Sequence, residues 1–413
     1  MRRPIFAVFL VLAACGSSGN GSSSGSASDG GGPSSAGFPD ATSTETGGGG
    51  SPEASVEEEG GTPALDGSST TMDSATGTDA SGDAAATTGC FAHPGSCGYP
   101  DPTTGTAGAG DCSKLSTFSF SHLPSGTYYS GTGNTLEITD ANVTIDHTNL
   151  GNVGIYVSAG ANGFHLTNSC INVDSDGTEG SAAVRTAAGL TGIVVQNCTI
   201  SGSNDTTHAL GEAVDDLGSG TLIAGNYFYN MGGGVGAHGA SATIRDNYMY
   251  VNSVPAGPEH DEDVYCADNT LVVQHNTFLN KEDQTATVFC DTGGGSGGAC
   301  DNHLTITDNL LAGGGYMLYP CGNATSAGTS TIDIEGNRFA RCLGTPITHQ
   351  YPAGGGGDTC GTVDGAGADS NGYWPYGGYY GVATGYFTQT WSGNYWDDAP
   401  TKTICVDMKA GCQ

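Results

Sequence analysis

The chain has 413 residues, with 42 Asp and Glu against 10 Lys and Arg, a formal charge of −32, 71 Gly and 14 Cys. So acidic a chain excludes nucleic acid as a partner, because neutralising phosphates takes clustered Lys and Arg. The same charge means that an acidic polysaccharide would need a bridging cation or a local basic patch, while acidity alone also serves solubility.

Residues 1–15 open with Arg2 and Arg3, run through the apolar IFAVFLVLAA and reach Cys15, followed by Gly16. The run is too short for a permanent membrane span and reads as an export signal. Leu12 to Cys15, L-A-A-C, resembles the lipobox of bacterial lipoproteins. That resemblance implies acylation of Cys15, membrane attachment through the lipid alone, and delivery to the outer membrane or cell surface. The alternative is an ordinary cleaved signal.

Residues 16–89 collapse to Gly, Ser, Ala, Thr and acids, with no Lys or Arg. Such a composition cannot bury enough apolar surface to offset its ordering entropy and is expected to be a disordered tether. Its mean reach as a flexible chain is on the order of 50 Å.

After Cys15 there remain Cys90, Cys97, Cys112, Cys170, Cys198, Cys266, Cys290, Cys300, Cys321, Cys342, Cys360, Cys405 and Cys412. An exported chain is expected to form disulfides, and the odd count leaves at least one thiol free or buried. Cys90 to Cys112 is expected to staple an N-terminal cap and lead-in over residues 90–123, and Cys405 with Cys412 to close the tail. No C-x-x-C pair marks a zinc site.

From Leu136 to Phe339 one pattern keeps returning: a short alternating apolar run, then Asn, then another apolar position. Taking His147 as the first anchor, the others are Asn168, Asn197, Asn226, Asn247, Asn276, Asn309 and Asn337, with gaps of 21, 29, 29, 21, 29, 33 and 28. A period of about 20 to 30 residues marks a solenoid. TLEIT, NVTID, GIVVQ, ATIRD, LVVQH, HLTIT and TIDIE alternate with period two and are rich in β-branched residues, which is strand chemistry. The expected fold is all-β, a parallel β-helix over residues 124–360 with rungs stacked about 4.8 Å apart. The recurring Asn is expected to form a ladder of amides between coils. Residues 361–413 are aromatic-rich (GYWPYGGYYGVATGYF, then WSGNYWDD) and read as a last coil and cap or as a sugar platform.

Counting back from the anchors sets AVRT, AVDD, GAHG and EDVY on neighbouring rungs. Arg185, Asp215, Asp216, His238, His260 and Asp263 then share one surface, with Tyr265 and Arg245 as substrate contacts. Two carboxylates are what glycoside hydrolysis needs, and a base with an acidifying cation is what a polysaccharide lyase needs. Asp261, Glu262 and Asp263 are candidate Ca²⁺ ligands. The competing reading is that these are solvated surface groups of an acidic chain. His208, His303 and His349 read as surface or loop residues.

Gly192 to Asn280 resembles the right-handed, pectate-lyase-like parallel β-helix superfamily. Among its exported members a strand–Asn coil precedes an H-x-D-G-[IV]-Q-like segment and a strand ending H-N-T. Here these read HDEDVY (His260 to Tyr265) and LVVQHNT (Leu271 to Thr277), with Glu262, Asp263 and Tyr265 in place of Asp, Gly and Gln. Asp215-Asp216 and Gly236-Ala237-His238-Gly239 are also similar to the D-D and G-H-G motifs of polygalacturonases, whose N-T-D and R-I-K motifs are absent. The resemblance implies a monomeric, surface-tethered enzyme cleaving an extracellular polysaccharide. The alternative is a non-catalytic glycan-binding, adhesive or structural β-helix.

Overall fold

The computed structural model describes residues 89–131, 133–173, 182–202, 210–251, 262–267, 269–280, 286–291, 299–313, 316–322, 326–340, 388–397 and 399–404. Cys15, His208, His260, Asp261, His349, Cys342, Cys360, Cys405, Cys412 and the GYWPYGGYYGVATGYF run fall outside them. All the described residues lie within the unit Ser74–Gln413. No helix among the described residues is long and apolar enough to cross a membrane.

The folded unit is a parallel β-solenoid with three strand-bearing faces. The first face is a nine-stranded parallel sheet running from Thr144–Asp146 to Thr388–Ser392. The second takes the strand after each Asn turn, among them Cys170–Val173, Thr199–Gly202, Tyr248–Val251, Thr277–Asn280 and Leu310–Gly313. The third holds Thr135–Ile138, Gly154–Val157, Ala182–Thr186, Leu210–Asp216, Val264–Ala267, Ala286–Asp291 and Tyr316–Gly322. Strand Tyr227–Ala237 is long enough to serve the second face and, past a register shift, the third.

Period-two alternation sends one side of every strand inward, and like residues stack on like. Phe228, Met249, Phe278, Leu311, Phe339 and Trp396 are consecutive register partners on the second face. Ile223, Ile244, Val273, Ile306 and Ile334 do the same on the first. All eleven are buried, in one continuous core. Each carries about 1.5–3 kcal/mol of apolar burial.

The Asn turns close the coils. Asn226, Asn247, Asn276, Asn309, Asn337 and Asn394 are fully buried. Each of the first five donates from Nδ2 to Oδ1 of the next at 2.9–3.0 Å. The same oxygen accepts the backbone N–H of the Asn before it. The second amide hydrogen goes to a carbonyl one coil back, Asn276 for instance to Ile244 at 3.0 Å.

The ladder corrects the anchor alignment by one residue in the early coils. His147, Asn168 and Asn197 have φ of 48°, 49° and 52° and belong to the left-handed turn column that continues as Gly225, Asp246, His275 and Asp308. The ladder position itself is held there by Ser169 and Cys198. Ser169 Oγ accepts from Thr148 N–H, and Cys198 N–H donates to Asn226 Oδ1. Cys198 is the one free cysteine among the described residues, and its Sγ–H points to the carbonyls of Gln196 and Leu166. Burial pushes its thiol up to about 12.

At the first coil the expected lead-in is present, with Ser116 and Thr117 paired to the edge strand Thr148–Gly151 and Phe118 packed on the core, but residues 90–118 are more than a cap. They form a strap that lies along the second face from the last coil back to the first. Cys90 does not staple Cys112: the pairs are Cys90–Cys97, Cys112–Cys170, Cys266–Cys290 and Cys300–Cys321. Cys266 and Cys290 are register partners on adjacent rungs. At the other end, WSGNYW of the expected last coil supplies Asn394 to the ladder, buried Trp396, and Trp391 stacked 6.0 Å from Phe339.

Asn276→Ala would strip partners from Asn247 Nδ2, Asn247 N–H and the Ile244 carbonyl, all buried. At about 1–3 kcal/mol per orphaned group, a loss of roughly 3 kcal/mol or more is expected in guanidinium unfolding. A loss below about 0.5 kcal/mol would show that the ladder contributes little.

Candidate active site on the third face

One register line on the third face runs Glu137, Tyr156, Arg185, Asp215, Gly236, Tyr265, Phe289 and Tyr319. AVRT, AVDD, GAHG and EDVY therefore do occupy neighbouring rungs. Alternation points this line outward, because the partners on either side of it, such as Val214, Val235 and Val264, are core residues.

The strand around Asp215 is irregular in a way that builds the site. Ala213 and Val214 are both in the core, so the strict two-residue alternation fails between Glu212 and Asp215. Both acids consequently face outward. Sequence reasoning missed Glu212, since counting by twos from Asp215 turns it inward. The available signal was the charge itself, a glutamate at a position that parity assigned to the core.

Glu212, Asp215 and His238 converge, with one ligand atom of each within 4.8 Å of the others. His238 Nε2 lies 3.9 Å from Glu212 Oε1 and 3.9 Å from Asp215 Oδ1. The Asp215 side chain is only 9% exposed, and its Oδ2 is held by Arg185 Nε at 2.8 Å. Burial would lower His238, but the carboxylates of Glu212, Asp215 and Asp216 outweigh it and hold the imidazole above its ordinary value.

Gly236 makes the convergence possible. A Cβ there would stand 2.6 Å from Glu212 Oε1 and 2.8 Å from His238 Nε2. The two side chains fold over the bare backbone of the rung between them. Beside the cluster the rings follow in series: His238 lies tilted against Tyr265 at 5.1 Å, and Tyr265 stacks on Phe289 at 5.8 Å and Phe289 on Tyr319 at 5.2 Å.

Two of the expected catalytic carboxylates are elsewhere. Asp216 is fully buried and faces inward, accepting from Thr186 Oγ1 at 2.9 Å and Gly218 N–H at 3.1 Å. It organises the turn after its strand. Asp263 is also fully buried, one residue before the core residue Val264. Burial pushes its carboxyl well above the ordinary range, with the Asn280 side chain only partly offsetting this. Neither reaches solvent, so neither can touch a polysaccharide from the outer face. Arg245 lies on the first face, ion-paired with Asp246. His303 is likewise a first-face strand residue, with Nδ1 2.9 Å from Thr331 Oγ1.

Two carboxylate oxygens and an imidazole nitrogen form a donor set that could hold a metal ion. It differs from the expected Asp261, Glu262 and Asp263, of which Asp263 is sealed inside. An imidazole ligand suits a borderline transition metal better than calcium, which takes oxygen. Arg185 already neutralises part of Asp215, which weakens the set for any dication.

Compared with family models, curated proteins and solved structures, the chain matches none of them. The fold and the site therefore rest on their own geometry.

Two outcomes test this geometry. Gly236→Ala should force Glu212 and His238 apart and bring the imidazole back toward its ordinary pKa, read by NMR titration of the ring. An unmoved titration would contradict the convergence. Asp263, raised in the folded state, contributes stability that is fully present below its unfolded pKa of about 3.9 and lost as pH rises through the folded value. Asp263→Asn should therefore raise the melting temperature at pH 7.5 and give little gain at pH 3.5. Equal shifts at both pH values would argue against a buried neutral acid.

Proposed function

We propose that this chain is an exported, surface-tethered glycoside hydrolase acting on an extracellular polysaccharide at the outer side of the third face. The carrying observation is the Glu212–Asp215–His238 cluster, braced by Arg185 and flanked by stacked rings. Its groups lie on one side of any chain laid across the rungs, and the two carboxylates are closer to the spacing of about 5–5.5 Å used by retaining enzymes than to the wider inverting spacing.

In this reading the raised His238 is the proton donor to the leaving glycosidic oxygen. Asp215, fixed by Arg185, faces the positive charge that develops at the anomeric carbon. Glu212, the more exposed carboxylate, attacks the anomeric carbon to form a glycosyl–enzyme bond, and water then breaks that bond while the His238 imidazole left neutral by the first step takes the water's proton. The half-buried Tyr265 and Phe289 rings, backed by buried Tyr319, offer flat apolar surface to sugar faces, as aromatic side chains do when one side stays wet.

Hydrolysis is favoured over elimination by charge. A lyase needs a uronate, and a uronate needs a cation. The four Lys and Arg side chains described, Lys114, Arg185, Arg245 and Arg338, are all ion-paired within the protein. A neutral or amino-bearing glycan fits the face better. Lipid attachment at Cys15 and kinship to the right-handed pectate-lyase-like β-helices belong to the same reading and follow from the sequence resemblance. Calcium would enter only as a bridge to an acidic glycan.

A screen of residues 90–413 against neutral, amino-bearing and uronate polysaccharides, with and without Ca²⁺, checks this. New reducing ends are expected on a neutral or amino-bearing substrate. Turnover should fall about 10²–10⁴-fold in Glu212→Gln and His238→Ala, the usual range for losing an acid–base group. Activity should decline on the alkaline side, at a midpoint above the ordinary imidazole value of about 6.5. Unsaturated products would replace hydrolase with lyase, and binding without turnover would leave a glycan-binding β-helix.

A further inference from the structure

The strap touches the solenoid at many levels. At the last coil, Phe91 N–H donates to Asp397 Oδ2 at 3.1 Å, and Arg338 Nε pairs with Asp397 Oδ1 at 3.0 Å. Gly89 approaches so closely that a Cβ there would collide with the Asp397 carboxylate. Further back, Tyr99 stacks on His275 at 5.6 Å, and Thr277 Oγ1 donates to the Pro100 carbonyl at 2.8 Å. Gly108 N–H then reaches the Gly225 carbonyl at 2.8 Å, and Ala109 N–H reaches Thr199 Oγ1 at 3.0 Å. At the first coils Asn149 Nδ2 donates to the Cys112 carbonyl, Cys112 is bonded to Cys170, and Ser116 and Thr117 pair with Thr148 and Asn149.

Rung and ladder contacts join each coil only to its neighbours, so a solenoid behaves as a one-dimensional stack whose end coils have a single neighbour and fray first. The strap breaks that rule. We propose that residues 89–118 act as a lengthwise clasp. Cys112–Cys170 fastens it covalently at the first coils, and the Asp397 lock with Arg338 and Phe91 fastens it at the last. The terminal coils are thereby held to the middle of the stack. Because the chain upstream of Gly89 joins at the last coil, tension on that upstream chain enters through the Asp397 lock and passes into the strap.

Hydrogen–deuterium exchange on the full chain tests this by looking far from each change. In a Cys112→Ser/Cys170→Ser double variant, amides of Arg338–Ala340 and Tyr395–Trp396 should exchange at least tenfold faster, while those of Ser241–Arg245 stay as in the wild type. Acceleration confined to the strands carrying Thr148 and Cys170, or none, would overturn the clasp. Asp397→Ala, which keeps every disulfide, asks the question from the other end and decides it if the double variant does not fold. Gly108 and Ala109 amides should lose protection at least tenfold, and unchanged exchange there would overturn the proposal.

Discussion

The buried amide ladder is the constraint on which this solenoid depends. A strand can pair with copies of itself by backbone alone, but a turn that repeats at one corner leaves its N–H and C=O groups facing the interior. Each Asn meets that need in three directions: its Oδ1 takes a backbone N–H and an amide hydrogen from one neighbouring coil, and its Nδ2 serves a carbonyl and the next amide. Buried polar groups left unmatched are costly, so the ladder fixes where every coil turns. Fixing the turn fixes the register of the strands that follow it. The residue before it, in the left-handed region, is free to be Asn, Asp, His or Gly, types that tolerate that conformation better than β-branched ones.

Fixed register is what makes a surface constellation reproducible. Arg185, Asp215, Gly236 and Tyr265 face one another because four coils are stacked in phase. Local departures from regularity then supply the chemistry. The paired inward residues Ala213 and Val214 turn Glu212 outward, and the missing side chain at Gly236 gives Glu212 and His238 a place to meet. The acid–imidazole cluster is thus made from one irregular strand and one empty rung position on an otherwise repetitive scaffold. The strap supplies the long-range cohesion that the repeat itself lacks.

The period, the alternation and the recurring Asn made the solenoid legible in the chain alone. The rungs AVRT, AVDD, GAHG and EDVY could be placed side by side by counting. Counting failed where chemistry was degenerate. His147, Asn168 and Asn197 look like ladder residues, but they occupy the adjacent turn column, because small polar residues serve both columns. It also failed at Asp216 and Asp263, which a surface reading takes as exposed acids. One is buried because it organises a turn, the other despite a desolvation cost that raises its carboxyl.

By itself the sequence determined that the chain is acidic, β-rich and periodic, since composition and spacing survive any choice of register. It also determined that turns recur at polar residues. Tertiary structure alone decided that Cys198, standing in the ladder, is the free one among the described residues, and that residues 90–118 run the length of the solenoid. It alone brought Glu212 to Asp215 and His238. These outcomes depend on contacts between residues far apart in the chain and on parity breaks of a single residue, and neither leaves a trace in local pattern or composition.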